Sequence, residues 1–180
     1  MNRFLLLVIT AINFAATAIL TAQSVYIPDT AFRKYLINNH VINTNGDDTI
    51  QVVEAQDYKG NIDCAGNNIF SLVGIEAFNS LTALDCSNNN LTSLDVSKNV
   101  ELVRLYCEKN QLLSLNLTNG FNKNFKEIIA HGNPNLACIQ VDNPAYSYRT
   151  WLKKYNFAFG YGISFSKSCV NANNERNRSN

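Results

Sequence analysis

The stretch Leu81-Thr-Ala-Leu84-Asp-Cys86-Ser-Asn-Asn89-Asn-Leu91-Thr-Ser-Leu94 returns 21 residues later as Leu102-Val-Arg-Leu105-Tyr-Cys107-Glu-Lys-Asn110-Gln-Leu112-Leu-Ser-Leu115. Both read L-x-x-L-x-C-x-x-N-x-L-x-x-L. The same frame fits Ile62, Cys64, Asn67, Ile69 and Leu72 upstream, and more loosely Phe125, Ile128, Ala130, Asn133 and Leu136 downstream. The asparagines at 67, 89, 110 and 133 recur at intervals of 22, 21 and 23 residues. A period this steady marks a repeat architecture, in which one unit cannot bury its apolar face until a neighbour stacks on it.

Spacing and residue type together give the leucine-rich repeat pattern. Each unit opens with a short strand whose alternation sends Leu84 and Cys86 inward and Asp85 outward. The asparagine at the bend offers a donor and an acceptor at once, so it can pair backbone groups that the turn leaves open. The four predict a structural ladder. The fold class read from this is α/β, a short leucine-rich repeat solenoid of about four 21–23-residue repeats over residues 59–142. Cys64, Cys86 and Cys107 fall at equivalent inward places and act as small hydrophobes.

Composition agrees with one folded domain. The chain has 180 residues, 46% of them hydrophobic, and 28 are asparagine, about three times an even share. Asparagine is poor inside helices and strands and good at turns, so one asparagine turn is reused. The formal net charge of +1 supplies no overall field for nucleic acid or an anionic membrane. Ahead of the repeats, Asn2-Arg3 precedes the apolar run Phe4 to Ile12 and mostly small residues to Ala22. This is the pattern of a secretory signal peptide over 1–22, although Leu20 fits the cleavage site poorly, and the alternative is an uncleaved anchor helix at the short end of what spans a bilayer. Without it the chain carries 14 bases and 14 acids, has no membrane span, and is secreted or held at the cell surface.

A solenoid needs caps at both ends. Residues 23–58 form a helical N-terminal cap, with Pro28-Asp29 starting a helix that puts Phe32, Tyr35 and Leu36 on one face. Residues 143–170 form the C-terminal cap, helical from Ala145 to Tyr155 and extended from Phe157 to Phe165, followed by a polar tail at 171–180. Trp151, Tyr155, Phe157, Phe159 and Tyr161 suit packing over the last coil better than a sugar-stacking platform. Cys138 and Cys169 lie outside the repeat and, in an exported chain, pair as a disulfide. Closing that 31-residue loop stabilises the fold by about 3–4 kcal/mol in the chain-entropy description.

Within the N-terminal cap, Asn43 to Glu54 follows the twelve-place EF-hand loop. Asn43, Asn45, Asp47, Thr49 and Glu54 are the ligands it offers a calcium ion, with Ile50 at the apolar eighth place. Asn43 lacks the charge usual at place 1, and Asp48 stands where glycine makes the sharp turn. The alternative is a helix-loop-helix cap that keeps the shape without the ion.

Tyr26 to Phe32, the acidic loop and Gly74-Ile75-Glu-Ala-Phe78 resemble secreted bacterial leucine-rich repeat proteins and the related internalins. Asn133 to Asp142 and Ser168-Cys169 resemble their closing segment. The resemblance implies an EF-hand-like helical cap before a short solenoid, and it implies hardly anything of a ligand, because this fold serves many partners.

On such a solenoid the outward strand positions align into a concave face with three columns. They are Asn61, Ala83, Arg104, Glu127; Asp63, Asp85, Tyr106, Ile129; and Ala65, Ser87, Glu108, His131. Free of core duty, these residues can specify a ligand. Arg104 and Tyr106 form the expected centre, flanked by Asp85, Glu108, Glu127 and His131, since tyrosine and arginine dominate interface energetics. No nucleophile elbow, zinc-binding H-E-x-x-H or phosphate loop is present, so catalysis is not expected. The function predicted is a secreted module recognising a protein or glycan, and the alternative is a structural envelope or matrix protein without a dedicated ligand.

Overall fold

The computed structural model describes residues 23–169, so the signal segment at 1–22 and the tail at 171–180 lie outside it. The first coil contributes one short strand and each later coil two, and the strands join like to like in two parallel sheets. The first sheet contains β1 (Asn61–Asp63), β2 (Ala83–Asp85), β4 (Arg104–Tyr106), β6 (Glu127–Ile129) and β8 (Phe157–Ala158), adjacent in that order. The second contains β3 (Ser93–Asp95), β5 (Ser114–Asn116), β7 (Cys138–Gln140) and β9 (Ser164–Ser166). The chain therefore winds as a leucine-rich-repeat-like solenoid, touching each sheet once per turn from the second coil onward.

Registers put like residues on like. Ile62, Leu84, Leu105, Ile128 and Phe157 form one inward row, and Leu94, Leu115, Ile139 and Phe165 form the facing row. All nine are buried, in one continuous core that also takes in Cys64, Cys86 and Cys107. Burial pushes the Cys64 thiol up to about 12 and raises those of Cys86 and Cys107 as well. Thiols held protonated in this way are poor nucleophiles and pack as hydrophobes. The second sheet was not foreseen, yet its signal was there. Leu94 and Val96, Leu115 and Leu117, Ile139 and Val141 alternate with outward polar residues, and all six are buried.

The asparagine ladder is an interlock between successive coils. Asn89 Oδ1 accepts from the backbone N–H groups of Asn67 and Ile69, while its Nδ2 donates to the carbonyls of Cys64, Cys86 and Ser87. Asn110 reaches back to Leu91 and Cys86, and Asn133 to Leu112 and Cys107. Asn67 departs from the predicted ladder. It begins the stack, has no earlier repeat to hold, and is exposed, with its amide donating only locally to the Ala65 carbonyl. A second spine runs between the sheets on the other side. Asn99 donates to the carbonyls of Ile75 and Phe78, and Asn119 donates to the Asn99 carbonyl.

Asp29 fastens the N-terminal cap. Its Oδ1 accepts from Ala31 and Phe32 at the start of helix α1 (Thr30–Ile37), and its Oδ2 accepts from Phe70 and Ser71 of the first coil. Gly74 lies beneath, at φ +106°, where an added Cβ would stand 2.7 Å from Ile27 and 3.0 Å from the Tyr26 carbonyl. Only glycine fits that approach.

At the other end the prediction needs correcting. The helix α3 covers Pro144–Thr150 and tightens into a 3₁₀ turn at Trp151–Lys153, instead of continuing to Tyr155. The segment from Phe157 to Phe165 is not one strand but β8 and β9, one in each sheet. Gly162, at φ +72°, lies in the turn that separates them. The segment is thus a closing coil. Trp151 is fully buried, stacked on Phe157 at 5.5 Å and edge-on to Phe125 and Phe165. Tyr155 and Tyr161 point fully into solvent. The Cys138–Cys169 disulfide is formed and ties the end of the closing coil to β7.

Candidate functional site

The first sheet turns its outward residues to one face, in the columns that the repeat spacing predicts. Asn61, Ala83, Arg104 and Glu127 stand side by side, as do Asp63, Asp85, Tyr106 and Ile129. The third column follows from Asn88 N–H donating to the Glu108 carbonyl and Lys109 N–H to the His131 carbonyl, each at 3.0 Å. Ala83 and Ser87 are small and buried. They leave room for the longer side chains of the next coils.

The middle column separates structural from available residues. Where a strand ends in Asp or Asn, that side chain bonds the backbone two residues on and turns the chain. Asp63 accepts from Ala65, Asp85 from Ser87, Asp95 from Ser97 and Asn116 from Thr118. Asp85, predicted as a ligand contact, thus already has one oxygen engaged at its own corner. Tyr106 and Ile129 occupy the same strand-end position without that duty.

Tyr106 instead donates its hydroxyl to Glu127 Oε2 across to the next coil, at 2.5 Å. This bond, helped by partial burial, pushes its phenol up to about 12, because losing the proton would set two anions face to face. Arg104, exposed, is in register with Glu127. The sheet thereby brings Arg104, Tyr106 and Glu127 into one group. Glu108 keeps one carboxylate oxygen buried with no hydrogen-bond partner, and His131 lies exposed beside it.

The acidic loop of the cap has a different character. Its predicted ligands lie together, bonded to one another and to the loop backbone. Glu54, the place-12 carboxylate and part of helix α2 (Val52–Asp57), accepts from the N–H groups of Thr44 and Asn45 through one oxygen and from Gln51 N–H through the other. Asn43 Oδ1 accepts from Gly46 N–H. Asp47 accepts hydrogen bonds from Thr49, Asn45 and Gln51, which hold its carboxyl below the usual range, the Thr49 backbone bond foremost. Asn43, Asn45, Asp47, Thr49 and Glu54 would hold calcium by sharing or exchanging these contacts. As folded they make a cap closed on itself.

A groove of about 780 Å³ runs along α1, lined by Lys34, Tyr35, His40 and Val41 among others. Tyr35 accepts the Asp63 N–H there, so it serves to hold the cap on the first strand.

No protein-family profile and no curated protein sequence matches the chain. Solved structures do. One is the functional domain of InlJ from Listeria monocytogenes, 28% identical, with a TM-score of 0.48, over 67% of this chain and 28% of that one. A second is the internalin InlF from the same organism, 19% identical, with a TM-score of 0.49, over 80% of this chain and 45% of that one. The chain is similar to internalins. A third is the structure of the CBM51-2 and INT domains of ZmpB from Clostridium perfringens, 23% identical, with a TM-score of 0.42, over 56% of this chain and 21% of that one. The chain spans less than half the length of each.

Proposed function

We propose that this chain is a secreted binding module that recognises a protein or glycan through its concave face, with Arg104, Tyr106 and Glu127 at the centre. One observation carries the reading. At the strand-end column, where Asp63 and Asp85 are spent on their own backbone, Tyr106 is released from that task and held by Glu127 in a fixed orientation. A tyrosine ring pinned at its hydroxyl loses little freedom on binding, which is the property that makes such residues interface anchors. Asp85, Glu108 and His131 form the surround. The role is binding rather than catalysis, and the disulfide suits an oxidising exterior.

The test is capture of material from the producing environment by the native chain and by the Arg104→Ala, Tyr106→Ala double variant. Both side chains lie outside the core, so the melting temperature is expected to move by no more than a few degrees while capture is lost. Equal capture by both proteins would show that the concave face is not the binding surface.

A further inference from the structure

Near-neutrality of the whole chain conceals a polarity along the stack. Residues 23–108 carry 11 acids and 5 bases, whereas residues 109–169 carry 7 bases and 2 acids. In a solenoid, order along the chain becomes order along the axis, so the two ends of the molecule have opposite sign. At the basic end, Lys123, Lys126 and Lys154 line a single groove of about 580 Å³ with Val103, Asn124 and Asn156.

The backbone beneath this groove is fixed. Val103, Lys126 and Asn156 each immediately precede a strand of the first sheet. Lys126 N–H donates to the Val103 carbonyl, and the Asn156 side chain donates to the Lys126 carbonyl. Lys123 sits on the 3₁₀ turn Asn122–Asn124 alongside. All three lysines are exposed.

Neither acid of this half is placed to neutralise them. Glu127 faces the concave side and accepts from Tyr106. Asp142 accepts from Gly120 N–H through one oxygen and from Asn122 N–H through the other. Glu101 of the preceding coil is the nearest acid in sequence to the lining Val103, so the three lysines outnumber the carboxylates around them, and a polyanion relieves their mutual repulsion.

We infer that this groove is a second binding site, distinct from the concave face, and that it takes an anionic glycan. The lysines meet its carboxylate, sulfate or phosphate groups, and Asn124 and Asn156 lie beside them to meet hydroxyls. A nucleic acid is disfavoured by the lining. Its one lining aromatic, Phe125, is buried edge-on against Trp151. Tyr155, exposed between Lys154 and Asn156, is a single ring at the rim rather than a row of stacking platforms, a distinction that competition by DNA tests.

Heparin immobilised on a column, eluted with salt, is the probe, and full-length proteins are compared. The native chain is expected to bind. The Lys123→Glu, Lys126→Glu, Lys154→Glu variant should lose affinity on the order of a hundredfold at low ionic strength. A control of equal net charge, Lys34→Glu, Lys59→Glu, Lys98→Glu, should keep most of it, and Tyr106→Ala should keep all of it. Should the glutamate variant melt early, the Gln substitutions at the same three lysines replace it. Free polygalacturonate should displace the native chain, while single-stranded DNA at equal charge concentration should not. Failure of the native chain to bind, equal loss in groove and control variants, or displacement by DNA as effective as by polygalacturonate would overturn the assignment.

Discussion

Asn110 shows how one side chain can hold two coils together. Its Oδ1 accepts from Leu91 N–H at 2.9 Å, and its Nδ2 donates to the Cys86 and Cys107 carbonyls at 2.9 and 3.2 Å. The residue is fully buried, so removing it would strand several backbone groups away from water. Its neighbour Lys109 bears the cost of the same turn. The position before each ladder asparagine is left-handed, occupied by Gly66, Asn88, Lys109 and Gly132 at φ +66°, +55°, +53° and +71°. Glycine and asparagine tolerate that region, and a lysine there is strained. Lys109→Gly is therefore expected to raise the unfolding free energy by about 1 kcal/mol in a urea titration. A loss would mean that the lysine stem makes contacts worth more than the strain. The ladder was legible from the 21–23-residue spacing, but the left-handed column was not. Lys109 carries no mark of it, and only the alignment of four coils reveals the position.

The elements divide into those that periodicity announces and those that it hides. β2 and β4 were evident from Leu84–Cys86 and Leu105–Cys107. β3 and β5 are harder to read, because Leu94 and Leu115 close the L-x-x-L frame and also start a second alternation with Val96 and Leu117. The C-terminal run from Phe157 to Phe165 reads as one strand from its four rings, and Gly160 and Gly162 are the residues that allow it to turn. The acidic loop followed the calcium pattern in residue type, but residue type does not say that Glu54 is occupied by backbone N–H groups. From that occupancy, addition of millimolar calcium should leave the melting temperature unchanged. A rise of several degrees would show that the ion displaces those bonds. On the concave sheet, Tyr106 gives a titration to follow. Its folded phenol is raised to about 12 from an ordinary 10.0, so the bond to Glu127 is intact below pH 10 and is lost as pH rises through the higher value. Burial also raises the phenols of Tyr35 and Tyr58, so ultraviolet difference absorbance should find several tyrosines titrating late, and Glu127→Gln should bring down the Tyr106 step alone. An unchanged step would place the cause elsewhere than at Glu127.

For the molecule as a whole, the sequence disclosed the solenoid and the columns of its concave face, because a repeat of fixed length carries its own register. It did not disclose which members of those columns were already committed. That Asp85 is engaged at its own corner and Tyr106 is not depends on hydrogen bonds between and within coils. Net charge misled in a similar way. A value of +1 averaged over 180 residues hid an acidic N-terminal half and a basic C-terminal half, which stacking sets at opposite ends. Both proposed sites require a stack that does not open between coils, and the asparagine interlock is what keeps it closed. Native-state hydrogen exchange tests this most directly at the amides of Ile69, Leu91 and Leu112, each of which donates to an asparagine side chain of the following coil. They should exchange as slowly as the neighbouring strand amides of Leu84 and Leu105. Fast exchange at these three positions, with the strands still protected, would mean that the coils are joined by their sheets alone.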